Sequence, residues 1–186
     1  MNRDDLVGKR IAYLGILVAL NVVFTRLFSV RIALGGVEGI RLGVGGLPVI
    51  MAGILFGPLA GGIVGAIGDV AGFLISPMGA YMPHFTLSAA LTGIIPAVMI
   101  KYVFNNKFSL SRALISIGAG QIITSVILVP YFLNRLFEHP FETTIIPAAI
   151  GQAISIPLYA FLILVLCRRL ITEDILDTQM LNCHCN

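Results

Sequence analysis

Apolar positions in this chain neither alternate with polar ones nor recur at one helical face; they form long runs over roughly 11–28, 44–57, 58–76, 84–102, 113–134 and 144–167. All but the second come close to the ~20 apolar residues that a helix needs to cross a bilayer. The pattern predicts an all-α integral membrane protein: six transmembrane helices in a single membrane domain spanning 1–186, with a tail over 168–186. Phe56-Gly57-Pro58 is the only break in the apolar run from Val44 to Ile75. Pro58 suits the first turn of a helix, where its missing N–H costs nothing. A sharp turn there leaves helix 2 short and irregular after its Gly-rich entry, Gly43-Val44-Gly45-Gly46.

Composition removes the soluble alternatives. Of the 186 residues 58% are hydrophobic and 11% charged, with no Trp and a mean hydropathy of +0.98; soluble domains average about 25% charged residues. The six runs leave no length for a folded soluble domain. None of the three lysines (Lys9, Lys101, Lys107) sits in a Gly-rich phosphate-binding motif, so energy for any work must come from elsewhere.

The net charge is only +3, and its distribution says more. With six spans, Arg3, Lys9, Arg10, Lys101, Lys107, Arg112, Arg168 and Arg169 share one side, against Arg26, Arg31, Arg41 and Arg135 on the other. The positive-inside bias puts both termini in the cytoplasm. The first run is too long for a signal peptide and no small-x-small cleavage site follows it, so it reads as a retained helix 1. Cys183 and Cys185 flank His184 near the chain end, a poor closed metal site; a reduced, unordered tail is expected.

Two ladders of small residues stand out. Gly53, Gly57, Gly61 and Gly65 fall at intervals of four, continued by Gly68 and Gly72, the spacing that lets helix backbones approach closely in lipid. Helix 1 carries Gly8, Ala12, Gly15 and Ala19 on about one face. That face either packs inside the protein or meets a partner.

Ionisable groups inside a bilayer are costly and point to function. Asp69 lies about halfway along helix 3, and Gln121 and Gln152 lie at similar depth in helices 5 and 6. Toward the outer face come Arg26, His84, Tyr131, Asn134 and Arg135, and the outer loop 29–43 adds Arg31, Glu38 and Arg41. The depths predict a cavity open to the outside, with an acid and amides at its floor and cations at its mouth. It suits a ligand with a hydrogen-bonding heteroaromatic head and an anionic tail. A structural pairing of Asp69 with Arg26 or an amide, and plain interhelical bonds for the glutamines, are the bland alternatives.

The stretch Arg41-Leu-Gly-Val-Gly-Gly-Leu-Pro48, then Ala52 to Ala66, Gly68-Asp69, Ser76-Pro-Met-Gly-Ala-Tyr81 and Phe85 to Gly93 resembles the substrate-binding S components of energy-coupling-factor (ECF) vitamin transporters. It is most similar to their folate-specific branch, over about residues 5–170. The resemblance implies a six-helix protein of the bacterial cell membrane that captures a vitamin from outside. Such a protein docks on a membrane partner, EcfT, carrying two ATPases, so ATP is used by the partners only and the chain is not an enzyme. It also implies that the helix 1 ladder (Gly8, Ala12, Gly15, Ala19) is the docking surface for EcfT. Folate is the implied transported ligand, with no permanent cofactor and no metal.

Folate chemistry then assigns expected roles. A pterin offers an amino group and a ring N–H that Asp69 can accept as a pair, with Gln121 and Gln152 on the remaining edge. Phe73, Tyr81 and Phe85 are candidates for an apolar slot around the ring, and each can instead be packing. Planar guanidinium groups bind carboxylates bidentately, so Arg26, Arg41 and Arg135, with His84, Tyr131 and Asn134 beside them, are candidates for the glutamate tail; Arg31 reads as a surface charge. Loop 29–43 and the segment Ser76–Pro83 can fold over the mouth, hinged at glycines 35, 36, 39, 43 and 79.

Three rival readings stand beside this one. Ala66-Ile67-Gly68-Asp69 approaches the Gly-x-Gly-Asp element of intramembrane aspartyl proteases, but the second intramembrane Asp is missing. A self-sufficient secondary transporter or channel remains open, although the halves show no repeat. Riboflavin, pantothenate or thiamine are the alternative vitamins.

Overall fold

The computed structural model describes residues 3–27, 29–34, 37–77, 81–105, 107–137, 141–172 and 184–185. Helix α1 (Arg3–Leu27) leads into an antiparallel hairpin, β1 (Ser29–Leu34) and β2 (Val37–Gly43), which feeds α2 (Gly46–Phe56) and α3 (Pro58–Ile75). Helix α4 (Pro83–Val98) widens into a π-helical end over Met99–Val103. The fifth rod is composite: α5 (Leu110–Gln121), a π-helical stretch Ile122–Leu128, and α6 (Val129–Phe137). Helix α7 (Phe141–Thr172) closes the bundle. A two-residue strand pair joins Lys107–Phe108 to His184–Cys185; Cys183 is outside the described residues.

The six expected rods are therefore present, and α1, α3, α4, α7 and the composite α5–α6 rod each contain a stretch long and apolar enough to cross a membrane. Their outward faces carry large apolar side chains, such as Ile11 (64% exposed), Leu59 (78%) and Leu74 (75%). Water would penalise that surface and lipid does not. Helix α2 is the exception. Its 11 residues rise only ~16 Å at 1.5 Å each, about half of the hydrocarbon thickness. It survives because it is enclosed: Leu47, Val49, Ile50, Ala52, Ile54, Leu55 and Phe56 are all buried.

The turn after α2 works as its sequence predicts. Gly57 adopts a positive φ of 100°, and Pro58 opens α3. Arg10 of α1 donates a side-chain hydrogen bond to the Phe56 carbonyl, satisfying an acceptor that the helix end leaves open. The Tyr13 ring stacks beside Phe56 at 6.3 Å.

Glycines set the distances between α2, α3 and α4. A Cβ at Gly53 or Gly65 would strike the carbonyl oxygens of Gly93 and Ala89, and one at Gly61 would sit 2.7 Å from the Gly53 Cα. This is backbone-on-backbone packing. Prolines disturb the later helices: Pro96 lies inside α4 just before its π-helical end, and Pro130 follows the π-helical stretch of the fifth rod. Each lacks the N–H that an α-helix would use, and widened turns are a common adjustment around such gaps.

The segment 29–43, expected as an outer loop, is a hairpin rather than irregular chain, with Arg31 opposite Arg41 in its register. Of the expected hinge glycines, 35, 36 and 79 lie outside the described residues. Helix α7 also runs to Thr172, five residues into the expected tail.

Candidate ligand-binding site

A cavity is lined by residues from α1, α2, α3, α4, the fifth rod and α7, with about 1040 Å³ of space inside it once the open solvent at its mouth is included. Asp69 projects into it from the middle of α3 and is only 8% exposed. Thr86 Oγ1 on α4 donates to its Oδ2 at 2.8 Å. Because that hydroxyl proton is committed, the 2.9 Å contact between Tyr81 and Thr86 has the Tyr81 hydroxyl as donor. Tyr81 therefore acts on the carboxylate through Thr86, without lining the cavity.

Two amides complete the polar wall. Gln121 Oε1 accepts the Ser125 hydroxyl at 3.0 Å. Gln152, 8% exposed, lines the cavity with an Oε1 that is buried and has no hydrogen-bond partner among the described residues. A buried orphan acceptor costs ~1–3 kcal/mol, a cost that a donor entering the cavity would remove. Arg26 supplies a cation to the same cavity while its Nη1 donates to the Ser76 carbonyl at 2.7 Å, just past α3.

The hydroxyls of α4 and the fifth rod line the same wall. Thr92 Oγ1 reaches the Ser88 carbonyl at 2.9 Å and Thr124 Oγ1 at 3.1 Å, and Thr124 in turn donates to the Gly120 carbonyl at 2.8 Å. Thr124 has its proton on the preceding helical turn, and Thr92 divides its single proton between the Ser88 carbonyl and Thr124, so these hydroxyls face a ligand mainly as acceptors. The π-helical stretch carries both Thr124 and Ser125. One helical rod thus presents Gln121, Thr124 and Ser125 to a common cavity.

Five expected site residues meet here: Asp69, Arg26, Gln121, Gln152 and Phe85. Others do not line the cavity. Phe73 packs its ring against Tyr81 at 5.2 Å, and exposed His84 packs against Phe132 at 4.8 Å, next to Tyr131. Asn134 and Arg135 are exposed on α6. Arg41 sits on β2 with its side chain outside the described residues. Reading the sequence missed Asn21, Thr25 and Tyr159, all of which line the cavity. Asn21 carried the same signal as Gln121, a polar side chain inside a span. Tyr159 carried none, since tyrosine suits helix packing equally well.

The helix 1 ladder does not pack against the described residues of its own chain. Gly8, Ala12, Gly15 and Ala19 are all exposed, and a Cβ at Gly8 or Gly15 would meet nothing within 4 Å. The inward face of α1 is instead made by Leu17 and Asn21.

Comparison with known proteins agrees with this architecture. Residues 6–169 match the family described as "ECF-type riboflavin transporter, S component". The chain is 35% identical over 151 residues to the folate transporter FolT of Clostridium novyi (strain NT), covering 81% of this chain and 83% of that protein. A crystal structure of FolT bound with folic acid superposes with a TM-score of 0.68 at 27% identity, covering 81% of this chain and 87% of that one. The S component for biotin from an ECF-type ABC transporter shares the fold at a TM-score of 0.65 and 21% identity, over 92% and 95% of the two chains.

Proposed function

Because this chain belongs to the S components of ECF-type transporters, a family of membrane proteins, we propose that it is the subunit that captures folate or a reduced folate for import. The observation that carries the reading is an acceptor-rich cavity wall inside a membrane protein: the Asp69 carboxylate together with the unpartnered Gln152 Oε1. A pterin presents adjacent N–H donors that such acceptors can share, and Arg26 offers a cation for a carboxylate of the glutamate tail. FolT as relative and as structural neighbour supports the same ligand.

Riboflavin is the second reading, favoured by the description of the matching family. Its flavin ring has one N–H on the edge that would face Asp69, with no amino group beside it. A carboxylate is therefore half used by a flavin and fully used by a pterin.

In this reading Gln121 completes the pterin edge and Phe85 covers a ring face. Arg41, Arg135, His84, Tyr131 and Asn134 are candidates for a more distal part of the tail, reached when the hairpin lies over the mouth. Phe73 and Tyr81 support Asp69 from behind. Both termini are cytoplasmic, in a bacterial cell membrane, and the chain docks through Gly8, Ala12, Gly15 and Ala19 on EcfT, whose two ATPases supply the energy. The outward, uncovered position of that ladder supports the docking role.

The test is to purify the chain in detergent, record its absorbance spectrum and titrate ligand-free protein with folate, riboflavin, thiamine and pantothenate. Saturable one-to-one binding of folate, far tighter than the others, is expected. Preference for riboflavin would reassign the ligand within the family. Failure to bind any of the four, combined with uptake that persists without ATP hydrolysis, would return the chain to the secondary transporters or channels.

A further inference from the structure

Helix α2 starts at Gly45-Gly46 and has no capping side chain of its own. The local packing explains why: a Cβ at Gly45 would strike Thr25 Cγ2, and one at Gly46 would lie 3.1 Å from Gln121 Nε2 and 3.4 Å from the Tyr159 ring. Cap and spacer are supplied from other helices instead. The Tyr159 hydroxyl, on α7, donates to the Gly43 carbonyl and accepts the Gly46 N–H, so one oxygen joins the last residue of β2 to the first residue of α2. Asn21 Nδ2, on α1, donates to the Gly45 carbonyl at 2.7 Å. The carbonyl between them, Val44, takes the Leu47 N–H at 3.1 Å.

Three consecutive carbonyls are thereby tied down in a segment whose glycines would otherwise leave it pliable. The same segment forms part of the cavity wall, and it is the root from which the hairpin extends toward α6 and α7. Tyr159 is 3% exposed, so water does not compete for its bonds.

We infer that Tyr159 is a positioning residue: its hydroxyl clamps the Gly43–Gly46 wall and the hairpin root against α7, and this clamp sets how long a bound ligand stays. Asn21 is the second point of the same clamp, held from α1. For β2 to leave α7 the Tyr159 bond to Gly43 must break. The ring itself remains as packing, so the role belongs to the hydroxyl alone.

The release half of this inference rests on the folate reading above; the backbone half does not. Tyr159→Phe keeps the ring and removes the clamp. Two measurements on the full chain in detergent decide the matter. The first is folate release after dilution, expected to be about tenfold faster than in the parent. The second is trypsin cleavage after Arg31 and Arg41 without folate, followed by fragment mass, expected to be several-fold faster. Asn21→Ala should move both in the same direction by less, and serves if Tyr159→Phe does not fold. Faster release with unchanged cleavage would make Tyr159 a direct ligand contact and overturn the clamp. Unchanged release with faster cleavage would overturn its control of residence, and no change in either would overturn both. If the parent itself does not bind folate the ligand reading fails, while the cleavage comparison still decides whether the clamp exists.

Discussion

Helices α1 and α3 carry the same sequence device, small residues at intervals of three to four, and use it in opposite ways. On α3 the ladder is filled by other backbones: Gly61 meets Gly53 and Gly93, and Gly65 meets Ala89 and Ala90. Lower on the same face the contacts change from backbone to side chain, with Gly68 against Asn21 and Gly72 against Arg26. On α1 a Cβ at Gly8 or Gly15 meets nothing within 4 Å among the described residues, and Ala12 and Ala19 are exposed. A run of small residues therefore reports that something approaches closely, without saying what does so. In lipid, where apolar surface alone gives no drive to associate, an unfilled ladder is the surface on which the proposed docking role can be tested.

Substitutions along the two ladders should separate these uses. The largest effect is expected for Gly65→Leu, whose side chain has no room against the Ala89 carbonyl; overpacking of this kind costs ~3 kcal/mol or more. The folded fraction recovered in detergent, followed by size-exclusion profile and melting temperature, should collapse. A variant that melts like the parent would mean that α3 and α4 can separate, and the comparison would fail on that side.

Next comes Asp69→Asn, one residue beyond Gly68 at the point where the α3 ladder passes from packing to site. Losing a charge-assisted acceptor worth ~1.5–3 kcal/mol should weaken folate binding by well over tenfold, as read by equilibrium titration, with little change in melting temperature. Normal affinity would remove Asp69 from the ligand site. Gly68→Ala should act more mildly. Its methyl displaces Asn21 from the Gly45 carbonyl, and several-fold weaker binding is expected from a protein that still folds.

On α1 the sign of the result changes. Ala12→Val or Ala19→Val should leave folate affinity of the isolated chain as it was and reduce uptake by the assembled transporter several-fold. Loss of binding with normal assembly would refute the docking role. The smallest effect is expected at Gly15→Ala in the isolated chain: open space and a better helix former should raise stability slightly, by less than ~1 kcal/mol. A loss there would mean that α1 already packs on something.

Much of the architecture was legible because lipid imposes simple demands. A spanning segment must satisfy its own backbone and present apolar side chains, and that requirement is written continuously into each of the long runs. The break at Phe56-Gly57-Pro58 was equally plain, because the positive φ of Gly57 and the N-terminal position of Pro58 are local chemistry. Asp69, Gln121 and Gln152 could be selected for the same reason that makes them expensive. The outer cations were less legible. Arg26 reaches the cavity, whereas Arg135 is exposed; both lie near a helix end, and only their rotation about the helix axis separates them.

What sequence determined on its own was the solvent of this protein, the number of its rods, the half-length of α2 and the intramembrane acid, since each follows from local composition and backbone chemistry. Tertiary structure alone decided which ladder is filled and which faces out, that the Tyr159 hydroxyl bonds the Gly43 carbonyl 116 residues earlier in the sequence, and that Asn21 and Thr25 join the cavity. Those outcomes depend on how helices are rotated and where they cross. That geometry is settled by the packing of all six rods together, and no single segment encodes it.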